Sequence, residues 1–305
     1  MSEHRDEEAQ VIESPDCVDI DPPSDKYTIR QPFAYLESKW PRSSLIILNQ
    51  SLKELDLETI WKNTNLHVCA DGGANHLFDY FDNERQRKNH IPDYITGDFD
   101  SIRDEVMDYY NTNGSIIIKQ QSQYATDFNK AILIASIYYH SNAARAEITE
   151  NVANLDDNKS LVELSSRLAR LIKDKVNQDG VTSIVDTETP TKEGAKNTEN
   201  HPEKTNTADS ISTDKIINYI VGGIGGRFDQ TIASIHQLYV LNESDPHIEL
   251  VFITKKDVIL LLQKGINYLQ YKDKSTWSCA EKVPVCGLLP LGSSLVILNT
   301  SGLKY

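Results

Sequence analysis

Cysteine is scarce in this chain: Cys17, Cys69, Cys279 and Cys286 are the four present among 305 residues. None forms a C-x-x-C pair, which argues against a zinc site and against a disulfide framework. Long apolar runs are missing as well. No stretch is long enough to span a bilayer, and no apolar run follows a basic start, so neither a membrane span nor a secretory leader is expected. An excess of basic residues is also lacking. The net charge is −14, a poor match for nucleic acid. Apolar residues make up 39% of the chain, somewhat low for a globular protein, so part of it is expected to be unpacked. These absences together describe a soluble chain, expected in the cytoplasm.

The charge is unevenly spread. Residues 1–26 hold nine acidic side chains against Arg5 and Lys26, half of the whole excess, together with Pro15, Pro22 and Pro23. Such a segment buries too little surface to offset its ordering entropy and reads as a disordered acidic tail. From residue 27 short apolar runs alternate with amphipathic stretches. "SLIILN" (44–49), "NLHVCA" (65–70), "DYIT" and "SIIIKQ" (115–120) read as strands, and "LKELDLETIWK" (52–62), "HLFDYF", "IRDEVMDYY" and "DFNKAILIASIYYH" (127–140) as helices. This rhythm predicts a mostly parallel sheet flanked by helices over 27–245. A polar, turn-rich insertion at 141–214 interrupts it; one helix is possible inside, where Ser160 and Glu163 form a capping box. The rhythm resumes with "KIINYIVGG". From residue 246 onward, strand-like runs follow one another without helices, which predicts a smaller all-β domain over 246–305, its last strand barely begun at Tyr305.

Four places share one layout, a strand followed by small or acidic residues and then a helix. They are "CADGGAN" with Asp71, Gly72 and Gly73; "TGDFDS" with Asp98 and Asp100; "QYATDFNK" with Thr126 and Asp127; and "VGGIGGRFDQ" with four glycines, Arg227 and Asp229. In an open parallel sheet such turns gather beyond the carboxyl ends of the strands, where ligands bind. Glycines and helix N-termini suit phosphate, and arginine suits its oxygens. Acids beside phosphate call for a hard divalent ion, Mg²⁺ being the usual bridge. Asp98 and Asp100, if the backbone there is extended, point the same way and need such a cation.

Each motif also has a plainer reading. Gly72 and Gly73 can form a tight turn only. Asp127, Asp229, and Asp100 or Ser101 can cap helices. The fourth segment is neither a Rossmann fingerprint, since Phe228 stands where the third glycine belongs, nor a Walker loop. It is the joint recurrence at strand ends that favours a metal–phosphate site.

Taken in order, "ADGGAN", "PDYITGDFDS", "YATDFNKA", "GGIGGRFDQ" and "CGLLPLG…TSGLK" resemble the thiamine pyrophosphokinases of the eukaryotic type. The resemblance runs from about residue 30 to the end, apart from the insertion. It implies an α/β domain followed by a β-sandwich that binds thiamine, and a homodimer with its sites between subunits. It implies ATP as co-substrate, with ATP and thiamine converted to AMP and thiamine diphosphate in the presence of Mg²⁺. By position, Asp71, Asp98 and Asp100 fall on the acids that hold Mg²⁺ and the triphosphate, and Asp127 on an acid near the reacting groups. Gly72, Gly73, Asn75, Gln123, Thr126, Gly225, Gly226, Arg227 and Asp229 fall on the substrate-binding motifs. Asp127 or Asp100 is the expected general base. Members of the family usually continue past the "GLK" motif, so the β domain here is expected to lack strands. The other reading is a non-catalytic nucleotide- or thiamine-binding homologue with an incomplete thiamine pocket.

Overall fold

The computed structural model describes residues 27–37, 39–121, 125–150, 170, 215–270, 286–291 and 299–300. The expected acidic tail, most of the insertion with its capping box, and residues 271–285, 292–298 and 301–305 of the expected β domain lie outside them. The described strands are β1 (Tyr27–Arg30), β2 (Ser43–Ile47), β3 (Leu66–Ala70), β4 (Tyr94–Gly97), β5 (Ile116–Lys119), β6 (Ile216–Val221), β7 (Ile248–Ile253), β8 (Val258–Leu260) and β9 (Ile266–Leu269). The described helices are α1 (Ala34–Glu37), α2 (Leu57–Lys62), α3 (Gly73–Tyr80), α4 (Glu84–Asn89), α5 (Asp104–Thr112), α6 (Asp127–His140), α7 (Asn142–Glu150) and α8 (Phe228–Ser244).

Seven strands form one sheet in the order β5-β4-β3-β2-β6-β7-β8, parallel throughout except for the antiparallel edge strand β8. Its central strands are apolar on both sides because both faces are covered, as parallel sheets require. Alternate residues serve opposite faces. Ile46, Val68 and Ile220 pack with α6, α7 and α8, while Leu45, Ile47, Cys69, Ile95 and Tyr219 pack with α2, α3 and α5. Each fully buried isoleucine contributes on the order of 1.5–3 kcal/mol. Helix α6 is buried on nearly every side, from Phe128 to His140, which explains its almost unbroken apolar sequence. The strand order reverses between β2 and β6. At that point the connections leave in opposite directions and open a crevice at the carboxyl edge.

Several expectations change. Helix α2 begins at Leu57 instead of residue 52, because the Asp56 carboxylate accepts from Thr59 N–H at 3.1 Å and caps it there. Helix α4 is polar all round and carries no apolar period; its visible signal is the Asn83 side chain accepting from Gln86 N–H. The insertion does not start at residue 141. Helix α7 packs on α6, with Ala144 and Ile148 buried in the same core. The boundary at 245/246 is also displaced. Strand β7 is parallel to β6 and β8 closes the same sheet, so residues 248–260 belong to the α/β unit. The physical reason is the long α8, which returns the chain to the sheet edge, and the burial of β7 along nearly its whole length. The second sheet is smaller. Its described strands are β1 and β9, paired in parallel, so β1 belongs with the C-terminal part of the chain. Arg30 on β1 reaches Glu249 on β7 at 3.2 Å and ties the two sheets together.

The crevice depends on a tight turn after β6. Gly222 has φ of 72°, and a Cβ there would lie 2.6 Å from the Leu48 carbonyl oxygen. Gly222→Ala is expected to lower unfolding stability by about 1–3 kcal/mol through strain and overpacking. A urea midpoint equal to that of the unsubstituted chain would show that the turn relaxes freely.

Candidate active site

At the carboxyl ends of β3, β4 and β5 three carboxylates converge. One oxygen from each of Asp71, Asp98 and Asp127 lies within 4.8 Å of the other two. Asp71 follows β3 directly and has φ of 44°, a left-handed conformation that costs a non-glycine residue free energy and is over-represented at functional sites. Its N–H donates to the Thr96 carbonyl at 2.8 Å. Its buried carboxylate accepts from the N–H groups of Ser101 (3.2 Å) and Ile102 (3.0 Å). Asp71 therefore shapes the β4–α5 loop and faces the cluster at the same time. Gly97 makes the convergence possible. A Cβ on it would sit 2.7 Å from the Asp71 Cβ and 3.3 Å from Asp127 Oδ1.

Asp98 and Asp100 do not point together along an extended backbone. Phe99 between them has φ of 67°, and Asp100 N–H donates to Asp98 Oδ1 at 3.3 Å, so this is a turn. Nor does Ser101 or Asp100 start the next helix: α5 begins at Asp104 after Arg103. The Ser101 hydroxyl instead donates to Asp100 Oδ1 at 2.7 Å. Asp100 touches the cluster through the Asp71 side chain, while the third mutually close carboxylate is Asp127, the first residue of α6. Thr126 is the cap of that helix, its hydroxyl accepting from Asn129 N–H at 3.2 Å.

Charge crowding shows in the ionisation. Burial, opposed by the Ile102 N–H and reinforced by the Asp127 charge, pushes the Asp71 carboxyl up to about 6. Asp100 is held below the usual carboxylate range, first by the Ser101 hydroxyl and then by Asp71.

The other expected residues are arranged as follows. Gly72 precedes α3 and the buried Gly73 begins it. Asn75 on α3 holds the β4–α5 loop, donating to the Ser101 carbonyl at 2.8 Å and accepting from Arg103 N–H at 3.0 Å. Gly225 and Gly226 are in left-handed conformations beside Gln50, whose Nε2 donates to the Gly225 carbonyl at 2.7 Å. Arg227 and Asp229 are exposed at the start of α8 and pair with each other at 3.1 and 2.5 Å; neither belongs to the acidic cluster. Gln123 lies outside the described residues. Two residues escaped the sequence reading. Gln50 gave no signal. Lys130, whose Nζ is 2.9 Å from Asp127 Oδ1, was visible as a lone charge three residues after an acid within an apolar helix.

The donor set fits a hard divalent cation. All its atoms are carboxylate oxygens, with no sulfur or imidazole, as Mg²⁺ requires. Like charges at this spacing, one buried and two half-buried, also call for a positive partner.

An open α/β sheet with acids and glycine turns along its carboxyl edge places the chain among α/β proteins whose strand-end crevice suits a phosphate-bearing ligand. Comparison with known proteins narrows this. A family model described as "Thiamin pyrophosphokinase, catalytic domain" matches residues 57–154. Thiamine pyrophosphokinase of Saccharomyces cerevisiae is 34% identical over 97% of this chain and 84% of its own length. The solved thiamin pyrophosphokinase of Candida albicans is 39% identical, covers 94% of this chain and 81% of its own, and superposes with a TM-score of 0.69. The yeast crystal structure gives 31%, 86%, 74% and 0.64 in the same order. The chain belongs to the thiamine pyrophosphokinase family.

A carboxyl raised in the folded state stabilises fully below its unfolded value of about 4 and loses that contribution as pH rises through the folded value. The metal-free chain is thus expected to lose the Asp71 contribution between about pH 4 and about 6. Mg²⁺ is expected to raise the melting temperature at pH 7.5, less so below pH 6, and hardly at all in Asp98→Asn. Differential scanning fluorimetry with and without EDTA reads this, and an undiminished Mg²⁺ shift in Asp98→Asn counts against the cluster as a cation site.

Proposed function

We propose that this chain transfers the diphosphate of ATP to the hydroxyl of thiamine, giving thiamine diphosphate and AMP. The observation that carries the reading is the convergence of Asp71, Asp98 and Asp127 at the strand ends in a member of this family. Those three acids, with Asp100 beside them, would hold Mg²⁺, which supplies charge neutralisation to the triphosphate when bound. The glycine turns and Arg227 would contact phosphate oxygens, and Gln123, Asn75, Thr126 and Asp229 would complete the substrate contacts.

In the reaction the thiamine hydroxyl oxygen forms a bond to the β-phosphorus, the bond from that phosphorus to the α–β bridging oxygen breaks, and AMP leaves with that oxygen. Alignment carries most of the catalysis. The hydroxyl proton passes to a carboxylate, a step typically worth about 10²–10⁴-fold. Asp127, ion-paired to Lys130, and Asp100, whose proton affinity the Ser101 hydroxyl lowers, are the two candidates. A thiamine cation with an apolar ring suits an acidic, partly aromatic pocket.

The working unit is a homodimer. Supporting this, α8 exposes Phe228 (79%) and Ile232 (47%) on its surface, an uncovered apolar face suited to a second copy. A cytoplasmic setting agrees with the free thiols Cys69 and Cys286 among the described residues. Among those residues no helix is long and apolar enough to cross a membrane.

The test is incubation with ATP, thiamine and Mg²⁺, followed by separation of AMP from ADP. AMP with thiamine diphosphate supports the proposal; ADP would mean terminal phosphoryl transfer and a different enzyme; binding without turnover would mean a binding protein only. Asp98→Asn and Asp100→Asn are each expected to lower kcat by about 10²-fold or more, the scale of losing an electrostatic contact in the transition state, with circular dichroism unchanged. Near-normal turnover in both would refute their role.

A further inference from the structure

Lys130 lies in the interior of α6 and its side chain is 2% exposed. Of the lysines and arginines among the described residues, only Arg30 and Lys130 are buried, and Arg30 serves Glu249 between the two sheets. Removing an ammonium group from water costs several kcal/mol, and a leucine or methionine would fill a helix interior without that cost. Lys130 has Asp127 as its ion-pair partner, Nζ to Oδ1 at 2.9 Å. The same Oδ1 lies against the open face of Gly97, 3.3 Å from where a Cβ would stand. Asp127 is thus pinned between Gly97 and Lys130. The Lys130 charge is also felt at Asp100, where it favours the ionised carboxylate.

We propose that Lys130 is a positioning residue that acts as a fixed internal counter-charge. It offsets the charge of Asp127, so that Asp71, Asp98 and Asp127, with Asp100 at their edge, present one net negative charge fewer than their four carboxylates. It also fixes the Asp127 side chain toward the cluster. One negative charge fewer keeps a divalent ion from being held too tightly, which suits a cation that arrives and leaves with a nucleotide. This inference rests on the proposed reaction for its purpose, but its physical content does not.

The test is binding of Mn²⁺ to the nucleotide-free full chain, followed by electron paramagnetic resonance, in Lys130→Met, Lys130→Gln and Lys130→Arg. The two neutral variants are expected to bind Mn²⁺ about tenfold more tightly, the order expected for one more negative charge a few ångströms from a divalent ion in a partly hydrated site. Their kcat for AMP formation falls more than their KM for thiamine changes. Lys130→Arg, which keeps the charge, is expected to stay within about threefold of the unsubstituted chain in Mn²⁺ affinity. Should Lys130→Met fail to fold, Lys130→Gln carries the comparison, since it retains a donor for Asp127. Unchanged or weaker Mn²⁺ binding in the neutral variants, or an arginine variant that behaves like them, overturns the proposal. If the unsubstituted chain makes no AMP, the proposed reaction fails while the Mn²⁺ comparison still decides the role of Lys130.

Discussion

Carboxylate oxygens from Asp71, Asp98 and Asp127 within 4.8 Å of one another repel, and in a half-buried setting that repulsion is only weakly screened. The parallel register holds them there regardless. Ala70 pairs with Thr96 and Gly97 with Lys119, so the ends of β3, β4 and β5 finish side by side. The strained backbone at Asp71, the missing side chain at Gly97 and the N–H groups of Ser101 and Ile102 all act on the same few atoms. Lys130 offsets part of the charge from below, and a divalent cation would offset the rest from the open side.

The carboxyl edge divides by charge along the sheet. Acids stand at β3, β4 and β5, and Gln50 after β2 is bonded to the glycine turn that follows β6 through Gly225. This follows from the order β5-β4-β3-β2-β6, which sets the glycine turn across the switch point from the acids. A nucleotide lying along such an edge would meet cation-binding groups at one end and backbone donors next to them.

Much of the scaffold was legible before any coordinates. Helix α6 spans the predicted 127–140, though its cap is Thr126 and not Asp127; β3 and β6 fall within their apolar runs, and β2 starts one residue before its own. The misreadings share a cause. Strands β7 and β8 were assigned to a separate domain because a run such as "ELVFI" looks alike in a sandwich and at the edge of a parallel sheet. Helix α7 was lost in a polar stretch because only Ala144 and Ile148 were needed to anchor it. The turn at Phe99 was missed because a left-handed phenylalanine has no local sequence mark.

The sequence by itself determined the α/β alternation, the positions of the acids at strand ends and the family, because apolar period, caps and motif order are local properties. Tertiary structure alone decided which acids meet. Asp127 stands 29 residues from Asp98 in the chain, yet it completes the close group, while Asp100, two residues from Asp98, touches only its edge through Asp71. Proximity along the chain is set by covalent bonds. Proximity at the site is set by strand register, one left-handed turn and a lysine buried where no solvent can replace it.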